Sequence, residues 1–236
     1  MFFKTLARFV LPRCCVLCGA ASKQPYSLCA PCHQDLPILQ QKCALCAQML
    51  PKDTPDQTLC GACLSSPPPF DQLHALFSYE PPITHWVVGL KFKHQLTYAR
   101  LLGDLLVHPI RDVWYQKTAL PDLIIPVPLH PTRLQERGFN QATEIARPIA
   151  RALNIQMDQS GLIRHKATAA QSGLSRKERQ QNVKGSFTAH RSYEGLTIAL
   201  VDDVVTTGHT ISECCHAIRK QGAKRIDIWT CARVLP

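Results

Sequence analysis

The sequence predicts an α/β domain built on a mainly parallel sheet, preceded by a small segment held together by metal. Three observations carry this expectation. From residue 71 onward short apolar strand patterns alternate with helical ones, an order that calls for a parallel sheet covered by helices. Residues 14–63 contain four C-x-x-C pairs, Cys15/Cys18, Cys29/Cys32, Cys43/Cys46 and Cys60/Cys63, with starts 14, 14 and 17 residues apart. Residues 196–211, LTIALVDDVVTTGHTI, run from an apolar strand through two adjacent acids into a loop of small residues and a helix.

The 236 residues, 45% of them hydrophobic, suit one ordinary domain plus a small one. No apolar run approaches the ~20 residues that a spanning helix needs. Residues 1–12 set Phe2, Phe3, Leu6, Phe9 and Val10 against Lys4 and Arg8 and end at Pro12. This is an amphipathic segment without the apolar core and cleavage site of an export signal. Packing on the body of the protein is one reading of it, and peripheral contact with a membrane surface the other. The expected location is the cytoplasm, or the inner face of the cytoplasmic membrane.

Between the C-x-x-C pairs, polar residues and prolines dominate, so burial alone does not hold the segment together. Two tetrahedral zinc sites of four cysteines each would, both adding their binding energy to folding, of order ~10 kcal/mol per site. Disulfides would need an oxidising compartment. Pairing can be sequential (Cys15, Cys18, Cys29, Cys32, then Cys43, Cys46, Cys60, Cys63) or interleaved, and Cys14 can stand in for Cys15. A chelator is expected to unfold residues 1–65 and spare the sheet. Residues 66–70 are a stiff proline-rich linker. The expected division is 1–12, 13–65, 66–70 and 71–236.

Along the larger domain, residues 73–79 read as a strand, and Ile83, Trp86, Val87 and Leu90 recur at helical spacing. A second helical pattern covers 98–107. Residues 122–127 form an apolar strand leading into PLHPTRLQERGFNQ, where Arg133 and Arg137 share a face of a helical turn. Residues 140–153 are helical and 162–164 a strand. Residues 164–191 then hold seven Lys and Arg against Glu178 alone, in a chain of net charge +10. Such a segment is either a solvated face or a place to meet a polyanion. The acid pair Asp202 and Asp203 follows, then Thr206, Thr207, Gly208, His209 and Thr210, a helix to about residue 221, and a last strand, 225–231. Cys214, Cys215 and Cys231 are expected to be buried apolar residues.

Free N–H groups and hydroxyls at a helix N-terminus hold phosphate. Two carboxylates beside them repel phosphate, but accept hydrogen bonds from sugar hydroxyls or place a divalent cation. The arginines, the basic segment and the acid-pair loop all follow strands, where open parallel sheets place their ligand loops. No G-x-G-x-x-G or G-x-x-x-x-G-K fingerprint fits the glycines here.

Together these pieces resemble the ComF family, associated with DNA uptake during natural transformation in bacteria. The matching stretches are the four C-x-x-C pairs, LKFKH at 90–94, PVPLHPTRLQERGFNQA at 126–142, QSGLSRKERQQNVKGSF at 171–187, LVDDVVTTGHT at 200–210 and GAKRIDIWTCAR at 222–233. The resemblance implies a double zinc ribbon joined to a type I phosphoribosyltransferase fold that binds 5-phosphoribosyl-1-pyrophosphate (PRPP). Asp202 and Asp203 would meet the ribose and its Mg²⁺, and residues 206–210 the 5′-phosphate. Arg133 and Arg137 would contact pyrophosphate, unless they are surface arginines paired with Glu136 or Glu144. Arg176, Lys177, Arg179 and Lys184 belong to a loop expected to close over PRPP. The implied role is an accessory one, handling single-stranded DNA alongside uptake-channel or helicase proteins. The alternative is an active phosphoribosyltransferase of nucleotide metabolism with an unknown nitrogen acceptor; no base-recognition element is legible.

Overall fold

The computed structural model describes residues 13–166 and 184–234. The amphipathic segment 1–12 and the loop candidates Arg176, Lys177 and Arg179 lie outside them. The chain forms two compact units, Met1–Pro37 and Ile38–Pro236.

The smaller unit is one knuckle. β1 (Arg13–Cys14) pairs antiparallel with β2 (Ala21–Ser22), and α1 (Ala30–Gln34) begins directly after Cys29. Gly19, at φ 75°, supplies the left-handed residue of the turn between the first two cysteines of the set and β2.

The larger unit opens with the second knuckle, whose α2 (Gly61–Ser65) follows Cys60. This knuckle is stitched to β3 (Gln72–Ser78). The Leu39 amide donates to the Leu76 carbonyl at 2.9 Å, the Leu73 amide to Leu45 at 2.8 Å, and Lys42 Nζ to Ala75 at 3.2 Å. Leu39 and Ala47 are buried in one apolar cluster with Leu73 and Ala75. The second knuckle therefore shares the core of the sheet and does not rest on metal alone.

After β3 come α3 (Ile83–Lys93) and α4 (Leu96–Pro109), the latter extended by a π-helical turn, Ile110–Trp114. β4 (Leu123–Pro126), α5 (Pro131–Arg137), α6 (Gln141–Leu153) and β5 (Gln156–Met157) follow. Next are β6 (Leu162–Arg164), β7 (Phe187–Ala189), β8 (Thr197–Val205), α7 (His209–Arg219) and β9 (Arg225–Arg233). Five strands form a wholly parallel sheet in the order β3-β9-β8-β4-β5.

Parallel strands covered on both faces are near-continuously apolar where they cross the core, and Ile198 to Val201 are fully buried. Successive residues of a strand face opposite sides. Ile198 and Leu200 join a cluster with Ile211, Cys214, Cys215 and Ile218 of α7. α6 packs on β8 and β4 as well as on α4. Asn140 caps α6 by accepting from the Ala142 amide at 3.0 Å, and Asn154 ends it in the left-handed conformation. α4 meets α6 at Gly103, where a Cβ would stand 2.4 Å from both the Ile145 carbonyl oxygen and Pro148 Cγ. Cys214, Cys215 and Cys231 are buried, as expected.

One strand falls elsewhere than expected. β6, which leads into the basic segment, is not in the parallel sheet; it pairs antiparallel with β7 in a separate ribbon. Asp158 turns the chain off the sheet. Its Oδ1 accepts from the amides of Ser160 (3.1 Å) and Gly161 (2.9 Å), and its Oδ2 from the Tyr193 hydroxyl (3.1 Å). Among the described residues no helix is long and apolar enough to cross a membrane.

Candidate functional site

The site arises where two neighbouring strands end at different heights. The Val127 amide makes a last hydrogen bond to Val201 (2.9 Å), and Pro128, which has no N–H, lets the chain turn away. β8 runs on to Val205 along β9 only. From β4 the chain continues through α5 and α6 to β5 on one side; from β8 it continues through α7 to β9 on the other. The connections diverge between β4 and β8, which makes this crevice the switch point where open parallel sheets take ligands. A cavity of about 1090 Å³ opens there.

Asp202 and Asp203 sit on its floor with unlike surroundings. Asp203 is buried, and Lys91 Nζ, from the last turn of α3, lies 2.7 Å from its Oδ2. Its Oδ1 accepts from the Val204 amide at 2.8 Å. Asp202 is half-buried, and its Oδ1 accepts from the Asp203 amide at 2.9 Å. Burial, with the Asp203 charge next to it, pushes the Asp202 carboxyl well above the usual carboxylate range. The pair thus offers one neutralised carboxylate and one that lacks a close cation among the described residues. The second is a place for a hydroxyl or a cation brought by a ligand.

Residues 206–210 form the next wall. Gly208 takes φ 81°, ψ 0° and is the residue before α7; the Ser212 amide bonds back to its carbonyl at 2.8 Å. This left-handed turn sets the first amides of α7 and the nearby threonine hydroxyls beside the cavity, the donor arrangement that holds an anion.

The facing wall is basic. Arg133 and Arg137 of α5 line it, as does Arg164 of β6. Arg137 Nη1 donates to Gln141 Oε1 at 2.5 Å, and its guanidinium lies 5.8 Å from the Phe92 ring centroid. Arg164 is buried against Phe187, 5.4 Å from the ring centroid. Burial weakens the hold of both guanidinium groups on their protons, and for Arg164 the charge of Arg133 acts in the same direction. Lys91, Arg133, Arg137 and Arg164 face three carboxylates, those of Glu136, Asp202 and Asp203, so the lining favours an anion.

The cavity therefore gathers Asp202, Asp203, residues 206–210, Arg133 and Arg137. Lys184 is exposed and is not among the lining residues; its carbonyl accepts from Lys166 Nζ at 3.2 Å. Lys91 and Arg164 are not singled out by the sequence. The motif LKFKH contains the lysine, but nothing local says that it reaches across to the acid pair.

The eight cysteines form two sets of four in sequential order, Cys15, Cys18, Cys29, Cys32 and Cys43, Cys46, Cys60, Cys63. Cys15, not Cys14, belongs to the first. Within each set all sulfurs lie within 4.8 Å of one another, with Cys18–Cys29 at 3.6 Å and Cys46–Cys60 at 3.7 Å. Zn–S bonds of about 2.3 Å in a tetrahedron give edges of roughly 3.8 Å, so both sets fit zinc.

Comparison with known proteins agrees. The double zinc ribbon domain model matches residues 6–64, and the phosphoribosyl transferase domain model residues 140–234. The chain is 34% identical over 231 residues to the DNA utilization protein YhgH of Salmonella typhimurium, a match covering 95% of this chain and 99% of the relative. It is 33% identical over 223 residues to Competence protein F of Haemophilus influenzae, covering 92% and 90%. The chain belongs to the ComF family. ComF membership joins two four-cysteine zinc-binding sites to a phosphoribosyltransferase domain in one polypeptide. Among solved structures, a purine phosphoribosyltransferase from Pyrococcus horikoshii aligns with 56% of this ComF chain and 80% of its own, at 17% identity and TM-score 0.34.

Proposed function

We propose that this ComF chain binds Mg-PRPP in the cavity between β4 and β8, and through that site serves the handling of single-stranded DNA in natural transformation. The observation that carries the ligand is the acid pair set beside an anion-holding loop at the switch point, faced by basic side chains. In this reading residues 206–210 hold the 5′-phosphate, Asp202 and Asp203 take the ribose hydroxyls, and Arg133, Arg137 and Lys91 face the pyrophosphate. Magnesium would arrive with PRPP as a hard cation needing oxygen ligands, and Asp202 is the carboxylate suited to it. The DNA role rests on the names of the relatives, a DNA utilization protein and a competence protein. Channel or helicase proteins at the inner face of the membrane are the proposed partners.

The test is titration calorimetry of the zinc-loaded protein with Mg-PRPP, alongside Asp202→Asn/Asp203→Asn. Saturable binding by the parent and loss of tenfold or more in the variant are expected. Equal affinities would remove the site from this role.

A second reading, an active phosphoribosyltransferase, has one observation of its own. Phe92 is 70% exposed and Val88 41% exposed, and both line the cavity, so one wall can receive an apolar acceptor. Under this reading pyrophosphate is released from PRPP in the presence of an aromatic nitrogen acceptor, and Phe92→Ala raises KM for that acceptor without weakening PRPP binding.

A further inference from the structure

Arg233, the last residue of β9, is a cation buried to 7% exposure. Its Nη1 donates to the carbonyl of Val205 at 3.0 Å and to that of Thr206. These are the last residue of β8 and the first of the loop that forms the anion-holding wall. Its Nη2 donates to Gln48 Oε1 at 3.4 Å. Gln48 stands two residues beyond Cys46, and its carbonyl closes the knuckle turn by accepting from the Cys43 amide at 2.7 Å. The cysteines of the second set, Cys46 foremost, with Cys60 and Cys63, act on the guanidinium through their charge. One side chain thus hydrogen-bonds both Gln48, in the turn of the second zinc site, and the root of the loop.

Charge explains why the two are joined. A buried guanidinium is costly unless an anion compensates it. The oxygens that accept from it, two carbonyls and a side-chain amide, are all neutral. Four thiolates around Zn²⁺ leave the cluster negatively charged, and that charge stands beside Arg233. With the cluster loaded, the guanidinium has its counter-charge where its planar fork can also hold the carbonyls of Val205 and Thr206.

We propose that Arg233 is a positioning residue that couples metal occupancy of the Cys43/Cys46/Cys60/Cys63 site to the anion-holding conformation of residues 206–210. Zinc in the second site orders the loop, and loss of zinc or of the guanidinium loosens it. Lysine keeps the charge but lacks the fork, so it preserves the cluster and leaves the carbonyls poorly held. The affinity consequence rests on the PRPP reading above; the ordering of the loop does not.

The experiment uses the full chain in its zinc-loaded form, as parent, Arg233→Lys and Arg233→Gln. Hydrogen exchange of the amides of residues 206–210 is measured with and without zinc release, and Mg-PRPP affinity by calorimetry. Co²⁺ replacement reports, through its thiolate charge-transfer bands, that the clusters remain tetrahedral in each variant. Expected are intact Co²⁺ spectra, faster loop exchange in both variants and in the zinc-released parent, and Mg-PRPP binding weakened by roughly fivefold or more, as for a typical coupling between sites. Unchanged loop exchange in both variants would overturn the proposal, even if PRPP binds normally. Altered exchange with no PRPP binding by the parent would uphold the coupling and remove the PRPP reading. If Arg233→Gln fails to fold, Arg233→Lys decides, and parent-like exchange in it sinks the idea.

Discussion

Lys91 reaches Asp203 at 2.7 Å with its side chain 25% exposed, while the side chain of Asp203 is 3% exposed. The pair is closer to a buried salt bridge than to a surface one, so removing either partner is not symmetrical with removing both. Lys91→Ala leaves a buried carboxylate without its cation and is expected to cost about 3 kcal/mol in urea unfolding. Adding Asp203→Asn removes the stranded charge and should recover more than half of that loss. Recovery of nothing would mean that the lysine contributes through burial of its stem rather than through charge. Asp202 behaves differently, since its proton is retained by burial and by the negative neighbour. Two identical residues in sequence thus acquire unlike surroundings, one paired with a lysine and one whose carboxyl holds its proton more tightly than usual.

At the level of elements, the second knuckle alters the expectation that chelation spares the sheet. Its backbone is bonded to β3 at Leu39 and Leu45, and Leu39 lies in the apolar cluster of the sheet. Uncovering one buried leucine costs about 2 kcal/mol. For a domain of this size that is roughly 4–8 °C in Tm. Cys60→Ser/Cys63→Ser, which empties the second zinc site, is therefore expected to lower the melting point of the sheet, read by the near-ultraviolet signal of the buried Trp86 and Trp229. No change would show that the knuckle holds its contacts without metal. The same stitching explains what is legible in the sequence and what is not. β8, its loop and α7 are readable because apolar run, acid pair and small residues are contiguous. So are the other main strands and the longer helices, from periodicity. β7 is not, since three residues (FTA) carry no pattern and its partner lies across the long loop. Lys91, Arg164 and Arg233 are not, because each acts on residues far away in sequence, and only the fold brings them together.

On the scale of the whole molecule, the question is where a nucleic acid strand would find its positive charge. The chain carries +10, and the cations at the cavity stand among Glu136, Asp202 and Asp203, a mixed lining suited to a small anion that also carries hydroxyls or a cation. The segment 164–191 has no such balance, with Glu178 its single acid. Its described ends are anchored by the β6–β7 ribbon, and Gly185 is held by Glu213 of α7 through its amide at 2.5 Å. Of the two described ends, Arg164 lines the cavity and Lys184 does not. From this division of charge, DNA and PRPP should depend on different residues. Affinity for a single-stranded oligonucleotide should fall with salt at a log–log slope of about −0.7 per phosphate neutralised. Changing Arg176, Lys177, Arg179 and Lys184 together to glutamine should flatten that slope by up to roughly 2.8 if each meets one phosphate. Asp202→Asn should leave the slope where it was while weakening PRPP. The opposite pattern, a slope moved by the cavity variant and not by the loop variant, would put the strand inside the cavity and make DNA and PRPP competitors for one site.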